Sequence, residues 1–271
     1  MADSLPALNA REFSVISELM ADISGIKMAP HKQALVAGRL MKRLRALTLD
    51  NFSDYISVLQ NPINQEERRI AVDLLTTNET FFFREQPHFD LITKLIRQYP
   101  RRPLQIWSAA CSSGEEVYSL AMVINANINA GTQWQVIGSD LCRQVLDTAN
   151  KAIYPLERSE NIPTGWLRHY CLKGVGNMSG TFCIRKELTQ HTQFKCLNLN
   201  ENLPDTHGPF DIIFLRNMLI YFDKPAKQQI LSRVLRKLKK GGLIFVGHSE
   251  GLHDLDLPIE PYATAVYRKI G

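Results

Sequence analysis

A run of small residues that stands just before two acidic residues is the first feature of this sequence that could bind a ligand. Residues 108–114 (SAACSSG) carry only small side chains, and Glu115 and Glu116 follow them. Small residues let a bulky ligand approach the backbone, and the start of a helix offers unpaired N–H groups. The run has no GxGxxG pattern, and its two carboxylates would repel a dinucleotide pyrophosphate. S-adenosylmethionine has no phosphate and carries a sulfonium and an ammonium, so the pattern favours it over NAD.

Two polar residues follow other apolar runs. Asp140 ends the second run, in the position where a doubly wound nucleotide site holds a ribose, although it lies 26 residues past Gly114, somewhat beyond the usual spacing. Its alternative role is a helix N-cap, because a helical pattern comes next. Asn198, flanked by Leu197 and Leu199 after the third strand, could reach the edge of an adenine or be an ordinary loop asparagine.

Arg216 and Asn217 directly follow the strongly apolar run 210–215 (FDIIFL). A charged residue and an amide residue at the end of a buried strand lie at the mouth of a ligand pocket, so both are candidates for the site. The segment lacks the Asn/Asp-Pro-Pro-aromatic motif that is common in nucleic-acid amino methyltransferases. Methylation of a base nitrogen is therefore disfavoured.

The elements that must position these residues alternate between strands and helices after residue 104. Apolar strand patterns cover residues 104–110, 134–138, 210–215, 243–247 and 263–267. Helical patterns cover residues 115–128, 143–152 and 224–238, and a turn is expected at 240–242. This alternation predicts a doubly wound α/β fold, a parallel sheet covered on both faces with an antiparallel strand at its end.

The first part of the chain has helical periodicity instead. Amphipathic patterns predict helices over residues 9–25, 30–47, 52–60 and 65–75, followed by a polar turn at 76–80. We therefore expect a small basic all-α domain over residues 1–75 and a catalytic domain over residues 76–271.

One stretch interrupts the alternation of strands and helices. Two β-like runs, 181–185 and 193–197, occur where the main sheet needs one strand. They predict a small antiparallel β insert over about residues 155–195, with a glycine-rich hairpin at Gly174, Gly176 and Gly180.

The composition excludes several classes of protein. The formal net charge of +5 and the pI near 8.9 indicate an anionic partner, which could be an acidic protein or a nucleic acid. The five cysteines form no CxxC pair and have no histidine at metal-ligand spacing, so we expect neither disulfides nor a metal site. With no long apolar window and no signal-like N-terminus, we expect a protein that stays in the cytoplasm and does not insert into a membrane. A monomer is the default expectation for its oligomeric state.

Four motifs in the same order resemble the CheR family of chemoreceptor glutamate O-methyltransferases. They are TNETFFFRE at 77–85, WSAACSSGEEVYS at 107–119, RNMLIYFD at 216–223 and GHSE at 247–250. The resemblance covers nearly the whole chain. It implies transfer of a methyl group from S-adenosylmethionine, leaving S-adenosylhomocysteine, to glutamate side chains of methyl-accepting chemotaxis receptors, for sensory adaptation and without a metal.

The resemblance also implies which residues act. Those that would line the S-adenosylmethionine site are Asn78, Thr80, Arg84, Glu116, Asp140, Asn198, Leu199, Arg216 and Asn217. Arg84 and Tyr221 would lie beside the reacting methyl group, Arg84 orienting a carboxylate and Tyr221 helping through its hydroxyl. A glutamate carboxylate with a pKa near 4.3 is already ionised at pH 7, so no general base is needed. His248 shares the family likeness without an assigned role.

The second helix carries a basic stripe. Lys32, Arg39 and Arg43 fall on one line beside an apolar arc of Val36, Leu40, Leu44 and Leu47. Such a stripe alone is often only a solvated helix face. The resemblance implies that it docks on the acidic coiled-coil region of the receptor in the cytoplasm.

The insert resembles versions that bind a C-terminal receptor tail. Lys173 and Cys183 stand where those versions carry arginines, so tail binding and a purely structural flap both stay open. Two alternatives for the whole chain also stay open, a non-catalytic S-adenosylmethionine-binding regulator and a nucleic-acid methyltransferase. The second is disfavoured because aromatic residues do not interleave the basic helix.

Overall fold

The computed structural model describes residues 6–100 and 102–271. The chain divides into two compact units, Met1–Thr77 and Asn78–Gly271, each with its own buried side chains. Among the described residues, no helix is both long and apolar enough to span a membrane.

The first unit is made of α-helices. They are α1 (Ala10–Ser24), α2 (Gln33–Ala46), α3 (Phe52–Gln60) and α4 (Gln65–Leu75), with a short 3-10 turn at Pro30–Lys32 before α2. The Asn9 side chain accepts from the Glu12 N–H and the Glu12 carboxylate accepts from the Asn9 N–H, a reciprocal cap that starts α1. Gly25, with φ 75°, ends this helix in the left-handed conformation that glycine tolerates. The four predicted helices are therefore confirmed.

The second unit begins with α5 (Gln86–Arg97), a helix that the sequence interpretation did not include. Its strands are β1 (Leu104–Ala109), β2 (Trp134–Asp140), β3 (Ile153–Pro155), β4 (Cys171–Lys173), β5 (Thr181–Ile184), β6 (Thr192–Cys196), β7 (Phe210–Leu215), β8 (Leu238–Val246), β9 (Ile259–Ala263) and β10 (Val266–Lys269). Its other helices are α6 (Glu115–Asn127), α7 (Arg143–Lys151), α8 (Thr164–Tyr170), α9 (Lys186–Thr189) and α10 (Lys224–Arg236).

The main sheet has seven strands in the order β6-β2-β1-β7-β8-β10-β9. The first five are parallel, and β10 pairs antiparallel with both β8 and β9. Because β2 lies on one side of β1 and β7 on the other, the strand order reverses between β1 and β7. The carboxyl ends of these two strands are neighbours, Ala109 beside Leu215, which is where a doubly wound sheet binds ligands. The predicted doubly wound fold is confirmed.

The end of the sheet differs from the prediction in two places. Residues 263–267 do not form one strand, because the turn between β9 and β10 falls inside them. Residues 240–242 belong to β8 rather than to a turn before it. A Cβ on Gly242 would lie 2.8 Å from the Asp211 carbonyl oxygen, so only glycine lets β8 pass this close to β7, where the register shifts. Local periodicity could not reveal this approach between distant strands.

The predicted insert is a three-stranded antiparallel sheet in the order β3-β5-β4. Gly174 and Gly180 flank the turn between β4 and β5, as the glycine spacing indicated. The second β-like run, at 193–197, belongs to β6 at the edge of the main sheet.

Candidate functional site

The turn after β1 has a backbone that few residues adopt. Ala110 has φ 62°, Ser112 φ 50° and Gly114 φ 94°. A Cβ on Gly114 would lie 2.8 Å from the Cβ of Ala149, so this position has no room for a side chain. The end of β2 stabilises the turn, because the Ser112 N–H donates to Asp140 Oδ2 at 2.8 Å.

Left-handed backbone is concentrated at three segments of this unit. Five of the eight non-glycine residues with positive φ among those described belong to them: Phe83, Glu85, Ala110, Ser112 and Asn217. Each such residue costs free energy, and residues of this kind persist at sites that the surrounding structure holds in place. The segments before α5, after β1 and after β7 are therefore candidates for parts of one site.

A buried arginine joins the three segments. The Arg216 side chain is 2% exposed and forms ion pairs with Glu85 at 3.0 Å and with Glu116 at 2.9 Å. It also donates to the Arg84 carbonyl oxygen. Burial alone would raise the pKa of Glu85, but the charge of Arg216 and a hydrogen bond from Asn217 hold it below its ordinary value. Arg216, which was predicted to line the cofactor site, therefore forms its ion pairs and hydrogen bonds with other groups of the protein.

Glu116 and Asp140 bring carboxylate oxygens to the edge where β1 and β2 end. Glu116 accepts from the Ser108 hydroxyl at 2.6 Å as well as from Arg216. Asp140 Oδ1 accepts from the Cys142 N–H at 3.0 Å. The N-cap interpretation of Asp140 is wrong, because the N-cap of α7 is Cys142 and has no side-chain cap. An ionised carboxylate offers about four acceptor positions, so one carboxylate can bind several donors at once.

The segment 78–85 packs against the turn after β1. The Ser112 hydroxyl donates to the Asn78 carbonyl oxygen at 2.7 Å, and the Phe83 N–H donates to the Ser119 hydroxyl at 3.0 Å. The Arg84 guanidinium donates to the Glu79 carbonyl at 2.9 Å and lies 5.7 Å from the centre of the Phe81 ring. Arg84 and Thr80 are partly buried.

The other predicted site residues lie in loops at the same edge. Asn198 follows β6, and its amide donates to Glu201 at 2.9 Å and accepts from the Asn200 N–H at 3.0 Å. Leu199 packs into the hydrophobic core, so its backbone is the part left for a ligand. Tyr221 ends a 3-10 turn after β7 and is partly buried.

Two carboxylates of this site, Glu85 and Glu250, were missing from the sequence prediction. Glu85 Oε1 accepts from the Asn217 amide at 3.1 Å, and Glu250 accepts from the backbone of the loop after β7. Both residues end motifs that were recognised, at 77–85 and 247–250, and an acidic residue at such a position was the available signal. Their partners in residues 216–220 lie 30 to 132 positions away, a separation that spacing rules do not cover.

Three possible metal ligands also meet here, although spacing predicted none. One ligand atom each from Glu85, His88 and His248 lies within 4.8 Å of the others. Burial, with the nearby Arg216 charge, lowers the pKa of His88 to about 4, so the ring is neutral at pH 7. Arg216 already supplies a cation 3.0 Å from the same carboxylate. A metal ion would have to approach against that positive charge, so the geometry favours the ion pair over a metal centre.

The basic stripe of α2 is part of the first unit's own structure. Arg43 forms a bidentate pair with Glu67, at 2.9 Å and 2.5 Å, and the Tyr55 hydroxyl donates to the same carboxylate. Arg39 donates to the carbonyl oxygens of Leu75 and Thr76, both at 3.0 Å. These arginines therefore stabilise the unit, and their docking role stays a prediction, as does that of Lys32.

Comparison with known proteins identifies both units. Residues 78–267 match the family model described as CheR methyltransferase, SAM binding domain, and residues 11–76 match the one described as CheR methyltransferase, all-alpha domain. The chemotaxis protein methyltransferase of Salmonella typhimurium is 39% identical over 250 residues, covering 92% of this chain and 86% of the relative. That of Escherichia coli is 39% identical over 251 residues, covering 92% and 87%. Chemotaxis protein methyltransferase 2 of Pseudomonas aeruginosa is 40% identical over 242 residues, covering 88% and 86%. Because both units match and the relatives are about 40% identical over most of the chain, this chain belongs to the CheR methyltransferase family.

Proposed function

We propose that this protein transfers a methyl group from S-adenosylmethionine to glutamate side chains of chemotaxis receptors, forming glutamate methyl esters. The observation that carries the proposal is the meeting of motifs from distant parts of the chain in one hydrogen-bonded site around Arg216. The relatives named as chemotaxis protein methyltransferases support the choice of substrate.

The residues present fit the cofactor. S-adenosylmethionine supplies a methyl group activated by the positive sulfonium, and a site for it needs acceptors for hydroxyl and ammonium groups. The carboxylate of Glu116, in the first turn of α6, and that of Asp140, at the end of β2, flank the turn after β1, which has no room for a side chain at Gly114. The proposed cofactor-binding residues are Asn78, Thr80, Arg84, Glu116, Asp140, Asn198, Leu199, Arg216 and Asn217. Arg216 would act mainly by holding Glu116 and Glu85 in place.

Arg84 and Tyr221 are proposed to position the reacting groups. A glutamate substrate is ionised at pH 7, so the protein need not remove a proton from it. Holding the reacting atoms in line can contribute roughly 7 to 11 kcal/mol to lowering a barrier. Arg84 uses one of its five N–H donors on the Glu79 carbonyl, and a guanidinium can bind a carboxylate through two donors at once.

The test is a methyl-transfer assay with a tritiated methyl group, receptor fragments and, in parallel, RNA. Alkali releases methanol only from a carboxyl ester, so volatile label from the receptor arm is the expected result. Arg84→Ala should reduce that release by about 100-fold or more, a loss of some 3 kcal/mol in positioning. Arg84→Lys, which keeps the charge but not the bidentate fork, is the matched variant and should remain strongly impaired. Label in RNA, or binding of cofactor without transfer, would contradict the proposal.

The first unit is proposed to dock on the acidic coiled-coil region of the receptor through Lys32, Arg39 and Arg43. Because Arg43 holds Glu67, reversing the charge of Arg43 would destabilise the unit as well as repel the receptor, so Lys32→Glu is the variant that leaves that pair intact. It should slow methylation at low salt and leave binding of S-adenosylhomocysteine unchanged. Lys27→Glu, on the loop before the 3-10 turn, controls for net charge. Equal slowing by both variants would exclude a specific stripe.

Three further features of the function remain proposals. We place the protein in the cytoplasm, where the receptor coiled coil lies, and propose that it acts there as a monomer. The β insert either binds a receptor tail or serves as a flap. Its exposed apolar side chains, Leu172, Val175 and Met178, are compatible with the first of these roles.

A further inference from the structure

A buried carboxylate holds the loop that follows β7. Glu250 is 4% exposed and stands just after β8. Its Oε2 atom accepts from the N–H groups of Asn217 and Gly247, both at 2.7 Å, and its Oε1 atom accepts from the Ile220 N–H at 3.2 Å. One side chain therefore bonds two points of the loop after β7 and the start of its own loop.

The space around this carboxylate is filled. A Cβ on Gly247 would lie 2.7 Å from Glu250 Oε2 and 2.7 Å from the Asn217 amide nitrogen. Asn217 itself has φ 56°, a left-handed conformation that asparagine adopts more readily than most other non-glycine residues but that still costs free energy. The bond from its N–H to Glu250 helps to hold that conformation.

A second carboxylate orients the Asn217 side chain. Glu85 Oε1 lies 3.1 Å from the Asn217 amide nitrogen. An ionised carboxylate only accepts hydrogen bonds, so the amide must present its NH2 group to Glu85 and its carbonyl oxygen elsewhere. Glu250 thus holds the backbone of Asn217 while Glu85 sets its side chain.

We propose that Glu250 is a positioning residue for methyl transfer. It contacts neither cofactor nor substrate, and acts by fixing residues 216–221, which carry Asn217 to the cofactor site and Tyr221 to the transfer site. The inference rests on the proposed function. An apolar residue of similar size would leave the N–H groups of Asn217, Gly247 and Ile220 without their acceptor, so the charge buried at this position is explained by the loop that it holds.

The variant Glu250→Gln tests the bond to Ile220 apart from the bonds to Asn217 and Gly247. Its single amide oxygen can replace Oε2 and keep the bonds from Asn217 and Gly247, and its NH2 group then faces the Ile220 N–H. We expect kcat to fall about tenfold or more, the effect of losing one hydrogen bond to a charged group, while the Kd for S-adenosylhomocysteine changes less than about threefold. Glu250→Ala, which removes all three bonds, should also raise that Kd by about tenfold or more.

Asp211→Asn is the matched control. Asp211 is another buried carboxylate, but it lies at the start of β7, where it accepts from the Gln105 N–H and pairs with Lys239. This variant should lower Tm and leave kcat and the Kd for S-adenosylhomocysteine unchanged at 20 °C. If it lowers kcat as much as Glu250→Gln does at a similar loss of Tm, or if Glu250→Gln has normal kcat, the positioning role is wrong.

Hydrogen exchange of the wild-type protein tests the same point without any variant. The amides of Asn217 and Ile220 should stay protected in the absence of ligand, and exchange at the rate of an open loop would overturn the inference. Failure of the wild type to bind S-adenosylhomocysteine would instead overturn the proposed function, so the two failures are distinct.

Discussion

The two ends of β7 use similar electrostatics for different purposes. At its start, the buried Asp211 pairs with Arg102 at 2.7 Å and Lys239 at 2.9 Å, two cations that keep contact with solvent. At its end, the buried Arg216 pairs with Glu85 and Glu116, and the left-handed Asn217 follows directly. Only the second end combines paired charges with a costly backbone. Burial of a compensated charge therefore does not mark a site by itself, whereas burial together with a strained backbone does.

The largest difference between the two ends of β7 is expected when the central arginine, Arg216, is replaced. Arg216→Met leaves Glu85 and Glu116 close together without their shared cation, and should cost about 3 kcal/mol or more of unfolding free energy. It should also abolish binding of S-adenosylhomocysteine, because the three segments lose their common partner. Arg102→Met, at the other end, removes a cation that is 50% exposed and should cost less than about 1 kcal/mol. Urea unfolding and titration calorimetry check both, and equal losses would refute the distinction.

A smaller effect is expected from crowding the residues at the carboxyl end of β7. Gly247→Ala would place a methyl group against Asn217 and Glu250, which must shift, and overpacking of this kind costs about 1 to 3 kcal/mol. We expect cofactor affinity to fall with it. Gly251→Ala is the matched control, since its Cβ would meet only His253, at an ordinary 3.6 Å. Calorimetry on the two variants should show weaker binding for the first alone, and unchanged binding by both would mean that this end tolerates movement.

The effect that differs least between the two ends of β7 is a pH dependence of stability that both ends share. Burial lowers the pKa of His88, near Arg216, and of His207, beside Trp107, to about 4 in each case. The unfolded chain binds these protons near pH 6.5, so it holds more protons than the folded chain between pH 6.5 and 4. The stability that these two neutral histidines contribute is therefore fully present above pH 6.5. It is lost as the pH falls from 6.5 towards 4, by about 1.4 kcal/mol per pH unit for each histidine.

Urea unfolding at pH 7, 6 and 5 measures this slope. His88→Gln and His207→Gln should each reduce it, and His253→Gln, on an exposed histidine, should not. Only His88→Gln should also change the binding of S-adenosylhomocysteine, because His88 lies beside the Glu85–Arg216 pair. A binding defect in His207→Gln would erase the contrast between the two ends.

The sequence by itself determined most of the secondary structure and pointed to the candidate site. Helices α3 and α4 have the predicted bounds, because hydrophobic periodicity is a local property that each segment carries alone. The turn after β1 and the residues after β7 were found for the same reason, since small or polar residues that end a buried strand stand out locally. The motif at 77–85 was also visible, but its ion pair was not.

Only the tertiary structure decided which of these groups meet. Glu85 and Arg216 are 131 positions apart, and no periodicity links them. The same holds for Arg39 and Arg43. Their spacing on a helix predicted a docking face, and only the structure revealed that within the unit they also bond the backbone at the end of α4 and Glu67. Pairing between distant segments depends on how the sheet and helices pack. The residue pattern of one segment contains no information about which charged side chain of another segment will lie beside it.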